Sequence, residues 1–177
     1  MADALTATNV ITVDEFFSQK NLNLLDQTLE EIFGMMLSCD VKAEALEVAA
    51  EWPSVMTPDE KTAVVGFAGS MRGTCSIRIG GKATLAVATA MMGGMAPEAD
   101  DQASLCDAVG ELCNMVAGGW KNRVSEQAAL CSLAPPTVIS GNHYNVHSAL
   151  CMVAIGRSYS FQNHRLKLTL VLERDSS

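Results

Sequence analysis

Apolar residues return at helical spacing in two long stretches of the chain. In the first, Leu22, Leu25, Leu29, Ile32 and Met36 fall on one side, which predicts a helix over Leu22–Leu37. In the second, from about Asp101 to Gln127, Leu105, Val109, Leu112 and Val116 share a face. Opposite them, Ser104, Asp107, Glu111, Asn114, Gly118 and Lys121 recur at alternating steps of three and four. At about 100° per residue these form one narrow polar stripe. A third helix is predicted over Lys82–Met92, ended by Gly93-Gly94. Val13–Phe17 is a candidate short helix. Val41–Ala50 stays open, because its composition suits a helix and its position suits an early strand.

The remaining segments read as strands. Thr62–Ala68 and Thr74–Ile79 flank a Gly-containing turn and predict a hairpin. Trp52-Pro53 and Thr57-Pro58 mark the connection before it, and Pro135-Pro136 breaks the chain again. Short strands are expected at Thr137–Ser140, Ala149–Gly156, Arg157–Gln162 and Leu166–Leu172. The alternation is clearest in His164-Arg165-Leu166-Lys167-Leu168-Thr169-Leu170, with the leucines inward. Helix followed by strands occurs twice, a faint internal repeat. The expected fold is α+β: a mainly antiparallel sheet packed by long helices, as a pseudo-symmetric sandwich.

Composition narrows the function. A chain of 177 residues is most simply one domain with a sizeable core, here residues 21–177, after a loosely ordered extension over 1–20. The apolar residues are 49% of the chain and the aromatics only 5%, which suits close helix-on-sheet packing. A net charge of −8 and no basic patch argue against nucleic acid as partner. No apolar run reaches the ~18 residues of a membrane span, and no signal peptide is evident. The six cysteines form no C-x-x-C pair and sit in apolar surroundings, as core thiols in a reducing cytoplasm would. Cys106 and Cys113 are read in that way rather than as a redox pair. His143 and His147 are four apart, but Gly141-Asn142 before them suggests a loop or strand rather than a metal-binding helix. No metal site is expected. Gly80-Gly81-Lys82 lacks the spacing of a phosphate-binding loop.

The polar stripe carries the candidate chemistry. Asp107-x-x-x-Glu111-x-x-Asn114, followed by Met115-Val116-Ala117-Gly118 and then Lys121, resembles the signature of the CheC/CheX/FliY phosphatase family. Val64–Gly69, Met71-Arg72-Gly73 and Cys75-Ser76-Ile77 resemble that family's paired strands. Ala90-Met91-Met92-Gly93 resembles the end of its following helix, and Pro135–Gly141 its Thr-Pro-Thr-Val-type segment. The likeness covers roughly residues 22–173, in the layout of the CheX type.

The resemblance implies removal of the phosphoryl group from the aspartate of a CheY-like response regulator. It assigns Asn114 the positioning of the attacking water, and Glu111 the pairing with the regulator's active-site Lys. Asp107 and Lys121 are expected as partner contacts on the same stripe. It further implies a homodimer, no cofactor of the chain's own, and a magnesium ion that belongs to the regulator. The family's two-site members repeat the motif on an earlier helix. Here that helix carries Asp26-x-x-x-Glu30-x-x-Phe33, with Phe where the second Asn would stand, so one active helix is expected. Trp120 falls by angle near the apolar side and is expected to pack inward.

A carboxamide suits the water-positioning task because it both donates and accepts, and adds no charge beside the phosphoryl oxygens. Spacing alone does not require this, since a Glu/Asn pair on a helix is ordinarily a solvated face. The alternative reading is a non-catalytic module that binds a regulator or other signalling partner. A third is a structural protein sharing only the fold.

Overall fold

The computed structural model describes residues 17–49, 60–69, 72–98, 100–124, 131–141 and 152–173. Helix α1 spans Gln19–Ile32 and opens at Ser18, whose hydroxyl accepts the Asn21 N–H at 3.4 Å. At Phe33 the pitch loosens into a π turn, Phe33–Leu37, closed by Ser38 at φ 51°. The predicted helix over 22–37 is therefore present but begins three residues earlier and changes winding at Phe33. The ambiguous stretch after it is a strand, β1 (Val41–Ala49). It pairs antiparallel with a later strand, so tertiary pairing overrides its helical composition.

The hairpin forms as expected, from β2 (Lys61–Ala68) and β3 (Gly73–Ile79). Gly73 is required at its start: a Cβ there would lie 2.0 Å from the Val171 carbonyl oxygen. Helices α2 (Gly81–Met91) and α3 (Gln102–Val124) follow. Then come β4 (Ser132–Leu133) and β5 (Thr137–Ser140). The two segments expected over 149–162 merge into one strand, β6 (Met152–Phe161). It turns at Gln162 into β7 (His164–Glu173). Val13–Asp14–Glu15–Phe16, Trp52-Pro53, Thr57-Pro58, His143, His147 and the expected end of α3 at Gln127 lie outside the described residues.

All seven strands form one antiparallel sheet in the order β1-β6-β7-β3-β2-β4, with β5 also paired to β2. The order turns the faint sequence repeat into geometry. Each half is a helix, an edge strand and a hairpin: α1, β1, β2–β3, then α3, β5, β6–β7. Each half gives its edge strand to the other half's hairpin, β1 to β6 and β5 to β2. The hairpins meet at the central β3–β7 ladder, with Ser76 opposite Thr169.

The helices cover one face. Beneath them the strands present Ala63, Val65 and Phe67 from β2, Cys75, Ile77 and Ile79 from β3, and Leu166, Leu168 and Leu170 from β7, all buried. Leu25 and Leu29 of α1 and Val109, Leu112 and Val116 of α3 complete the core. Each such side chain contributes about 2 kcal/mol by leaving water. None of the described helices is long and apolar enough to cross a membrane.

Candidate functional site

Helix α3 is held at both ends and along its buried side. At its start the Asp101 carboxylate accepts the Ser104 N–H at 3.1 Å and the Ser104 hydroxyl at 2.6 Å. These bonds hold the Asp101 carboxyl below the usual carboxylate range. Lys61, the first residue of β2, donates to the Gln102 side chain at 2.7 Å. Near the other end, Arg123 pairs with Glu31 of α1. The indole N–H of Trp120 donates to the Asn21 carbonyl at 3.0 Å, and the ring is 2% exposed. Trp120 therefore packs inward, as its angle indicated.

Mid-helix, Gly119 meets α1 closely, where a Cβ would stand 2.9 Å from Thr28 Cγ2. Cys113, next to Asn114 in sequence, is fully buried and directs its thiol at the carbonyls of Cys75 (3.5 Å) and Ala63 (3.6 Å). The Cys113 thiol beside it, and burial, push the Cys75 thiol well up, so Cys75 stays protonated at neutral pH. This buried anchor sets the roll of α3 on the sheet and so fixes which side of the helix faces out.

Facing out are the stripe residues. Asp107 and Glu111 are exposed, and Asn114 is half-buried. Among the described residues, no hydrogen bond or ion pair occupies the side chain of Asp107, Glu111 or Asn114. Lys121 differs: it is half-buried and its ammonium donates to the Cys131 carbonyl at 2.7 Å. It fastens the segment leading into β4 to the helix.

That segment runs antiparallel to α3 along one edge of the stripe. Cys131 meets Lys121, Leu133 approaches Gly118, and Pro136 and Val138 approach Gly110. Gly110, Asn114 and Gly118 lie in one row of the helix at steps of four, so the segment meets that row one turn before and one turn after Asn114. The segment is tied down from beneath by the Ala134 N–H donating to Gly66 O at 2.8 Å. Asn114 thus stands between two glycines of that row: Gly110, buried against Pro136 and Val138, and the half-buried Gly118. Sequence reading found the stripe and the Pro135–Gly141 segment separately. It missed that the second walls the first, although glycines at 110 and 118 bracketing Asn114 were the available sign.

On α1 two of the three corresponding positions are spent internally, while Glu30 is exposed. Phe33 is fully buried and meets Phe161 edge-on, with ring centroids 4.9 Å apart. Asp26 accepts the Tyr159 hydroxyl at 2.8 Å and lies 3.0 Å from Arg157 Nε, within ion-pair reach but off-line for a hydrogen bond. Among the described residues the whole Asp-Glu-Asn set is free of internal partners on α3 and not on α1. Among the described residues no three His, Cys, Asp or Glu side chains gather in a metal-binding set.

The family model described as chemotaxis phosphatase CheX matches residues 61–155, which includes the whole of α3. The CheY-P phosphatase CheX of Thermotoga maritima is 33% identical over 91 residues. That alignment covers 51% of this chain and 58% of the relative's own length. Among solved structures, a chemotaxis protein CheX from Desulfovibrio desulfuricans superposes with TM-score 0.73 at 23% identity, covering 87% of this chain and 99% of that one. A CheX–CheY–BeF3–Mg2+ complex from Borrelia burgdorferi matches with TM-score 0.62 at 15% identity, covering 87% and 98%. At these identities the structural matches speak to the fold.

Proposed function

The chain belongs to the chemotaxis phosphatase CheX family, and we propose that it hydrolyses the phospho-aspartate of a CheY-like response regulator. The observation that carries this reading is the Glu111–Asn114 pair, presented outward on α3 with no intramolecular partner among the described residues. A relative named CheY-P phosphatase and a relative crystallised with CheY support the same partner class.

In this reading α3 docks against the regulator's phosphorylation site. The Asn114 carboxamide donates to and accepts from one water and holds it in line with the aspartyl O–P bond. The water oxygen forms the new P–O bond as the aspartyl O–P bond breaks. Inorganic phosphate leaves and the aspartate returns as a carboxylate. Catalysis of this kind is mainly positioning and electrostatics. Magnesium and the active-site Lys come from the regulator. Glu111 pairs with that Lys, and Asp107 one turn earlier supports the contact. Lys121 offers its remaining ammonium hydrogens to the partner while bonded to Cys131. A homodimer acting in the cytoplasm belongs to the same reading, and sedimentation of the purified chain tests its oligomeric part.

The test is the lifetime of the acyl phosphate on a CheY-like regulator from the same organism. Wild type should shorten it. Asn114→Ala should lower turnover about 100-fold with little loss of binding, as for removal of one positioned polar group. Glu111→Ala should weaken binding about tenfold, equivalent to ~1.4 kcal/mol. Regulator binding that ignores Asn114, with phosphate lifetime unchanged by wild type, would instead identify a non-catalytic binding module.

A further inference from the structure

Helix α3 contains three glycines, at 110, 118 and 119. A glycine inside a helix weakens it relative to alanine, so each needs a reason. For Gly119 the reason is α1: a Cβ would meet Thr28 Cγ2 at 2.9 Å. For Gly110 it is the segment entering β5: a Cβ would stand 3.3 Å from Val138 Cγ2 and 3.5 Å from Pro136 Cγ. Gly118 has no such reason. Among the described residues, the nearest atom to its added Cβ is Leu133 Cδ1 at 3.7 Å, an ordinary contact. Its backbone is not among the positive-φ positions either. Among the described residues there is room for a methyl group at Gly118, and the chain does not use it.

What Gly118 does have is its place, one turn after Asn114 on the outward stripe. Side chains on a helix lean toward its N-terminus and cover the turn before their own Cα. Any side chain at 118 would therefore lean over the Asn114 carboxamide, about 5–6 Å away between Cβ atoms. One turn before Asn114 the same row is already closed, by Pro136 and Val138 against Gly110. Among the described residues, position 118 is where that row stays without a side chain or a close neighbour.

We propose that Gly118 is a steric determinant of the site: it lets a main-chain segment of the response regulator, beside the phosphorylated aspartate, lie against α3 within reach of Asn114. The inference rests on the phosphatase reading and adds how the partner gains access. Regulators with bulky side chains on that segment are excluded by Leu133 on one side and accepted only as far as the glycine allows.

The experiment compares Gly118→Ala and Gly118→Leu with wild type and Asn114→Ala. Thermal unfolding and phosphoryl-group loss from a CheY-like regulator are followed for each. Gly118→Ala should unfold ~2–4 °C higher, as a relieved helix glycine does in a domain of this size. Its kcat/KM should nevertheless fall about tenfold, and that of Gly118→Leu about a hundredfold, chiefly through KM. Asn114→Ala should lose kcat instead. A lower melting temperature for Gly118→Ala would show that the fold itself needs the glycine and would overturn the proposal. So would a Gly118→Leu protein that is folded and as active as wild type. If wild type fails to accelerate phosphate loss, the phosphatase reading falls by itself. Calorimetric affinity for the BeF3-activated regulator then decides: unchanged affinity in Gly118→Leu overturns the access role, and weakened affinity supports it.

Discussion

Helices α1 and α3 carry the same spacing of acids and occupy equivalent places over the two halves of the sheet; Glu30 and Glu111 are both exposed, but the positions before and after them are used in opposite ways. On α1, Asp26 is tied to Arg157 and Tyr159, and Phe33 is buried against Phe161. On α3, Asp107, Glu111 and Asn114 have no partner among the described residues. The strands beneath account for part of the contrast. Facing α1, β6 offers Arg157 and Tyr159. The strand in the equivalent place under α3, β2, offers Ala63, Val65 and Phe67. The cation β2 does carry, Lys61, is bonded to Gln102 at the start of α3, and among the described residues none pairs with Asp107 or Glu111. One helix of the pair is tied into the scaffold, and the other presents its motif side chains outward.

The comparison breaks if α1 can be opened. Phe33→Asn restores the missing amide of the motif but puts it in the core. It should cost ~4 kcal/mol in urea unfolding, from lost apolar packing and a buried amide, and add no phosphatase activity. A stable variant with raised activity would mean that α1 is a second site. Next in size, Asp26→Ala leaves the half-buried Arg157 without its counter-charge and the Tyr159 hydroxyl without its acceptor, and should cost ~2 kcal/mol. The matching Asp107→Ala should change stability by no more than ~0.5 kcal/mol, as an exposed position does. Similar losses at the two positions would erase the distinction between scaffold and site.

A smaller effect sharpens the α1 side. Burial and the Asp26 carboxylate push the Tyr159 phenol far above its ordinary range. The protonated phenol is thus favoured in the folded state. Its stabilising contribution is complete below the unfolded tyrosine pKa and is lost as pH rises above that value. Absorbance titration of the chain's two tyrosines should show one, Tyr159, resisting ionisation until unfolding. Tyr159→Phe should remove that behaviour and cost ~1 kcal/mol at neutral pH. Smallest is the cap of α3. Hydrogen bonds from Ser104 lower the Asp101 pKa, so its contribution is present above the unfolded carboxylate pKa and lost as pH falls through the lowered value. Carboxyl NMR titration should find Asp101 below the usual range in wild type and close to it in Ser104→Ala.

Much of the fold was legible because burial imposes periodicity. Leu22–Ile32, Leu105–Val116 and His164–Leu172 announced themselves by the spacing of their apolar residues. Val41–Ala49 did not, since its composition is helical and only pairing with β6 makes it a strand. The merger of two expected strands into β6 was hidden for a related reason: Gly156 and Arg157 look like a break until β1 and β7 flank them. At the site, the polar stripe and the Glu111–Asn114 pair were readable from helical angle and motif resemblance. The anchoring of Lys121 on Cys131 was not, because it depends on a chain return of ten residues.

By itself, then, the sequence determined the helices, the hairpin, the inward turn of Trp120 and the identity of the residues on the outward face of α3. These follow from local periodicity, which a linear pattern records in full. The tertiary structure alone decided that Asp26 is spent on Arg157 and Tyr159, that residues 131–138 pass along the row carrying Asn114, and that Gly110 and Gly119 meet close neighbours while Gly118, among the described residues, does not. Those outcomes depend on which distant side chains arrive opposite a given position, and strand order in the sheet sets that rather than spacing along the chain.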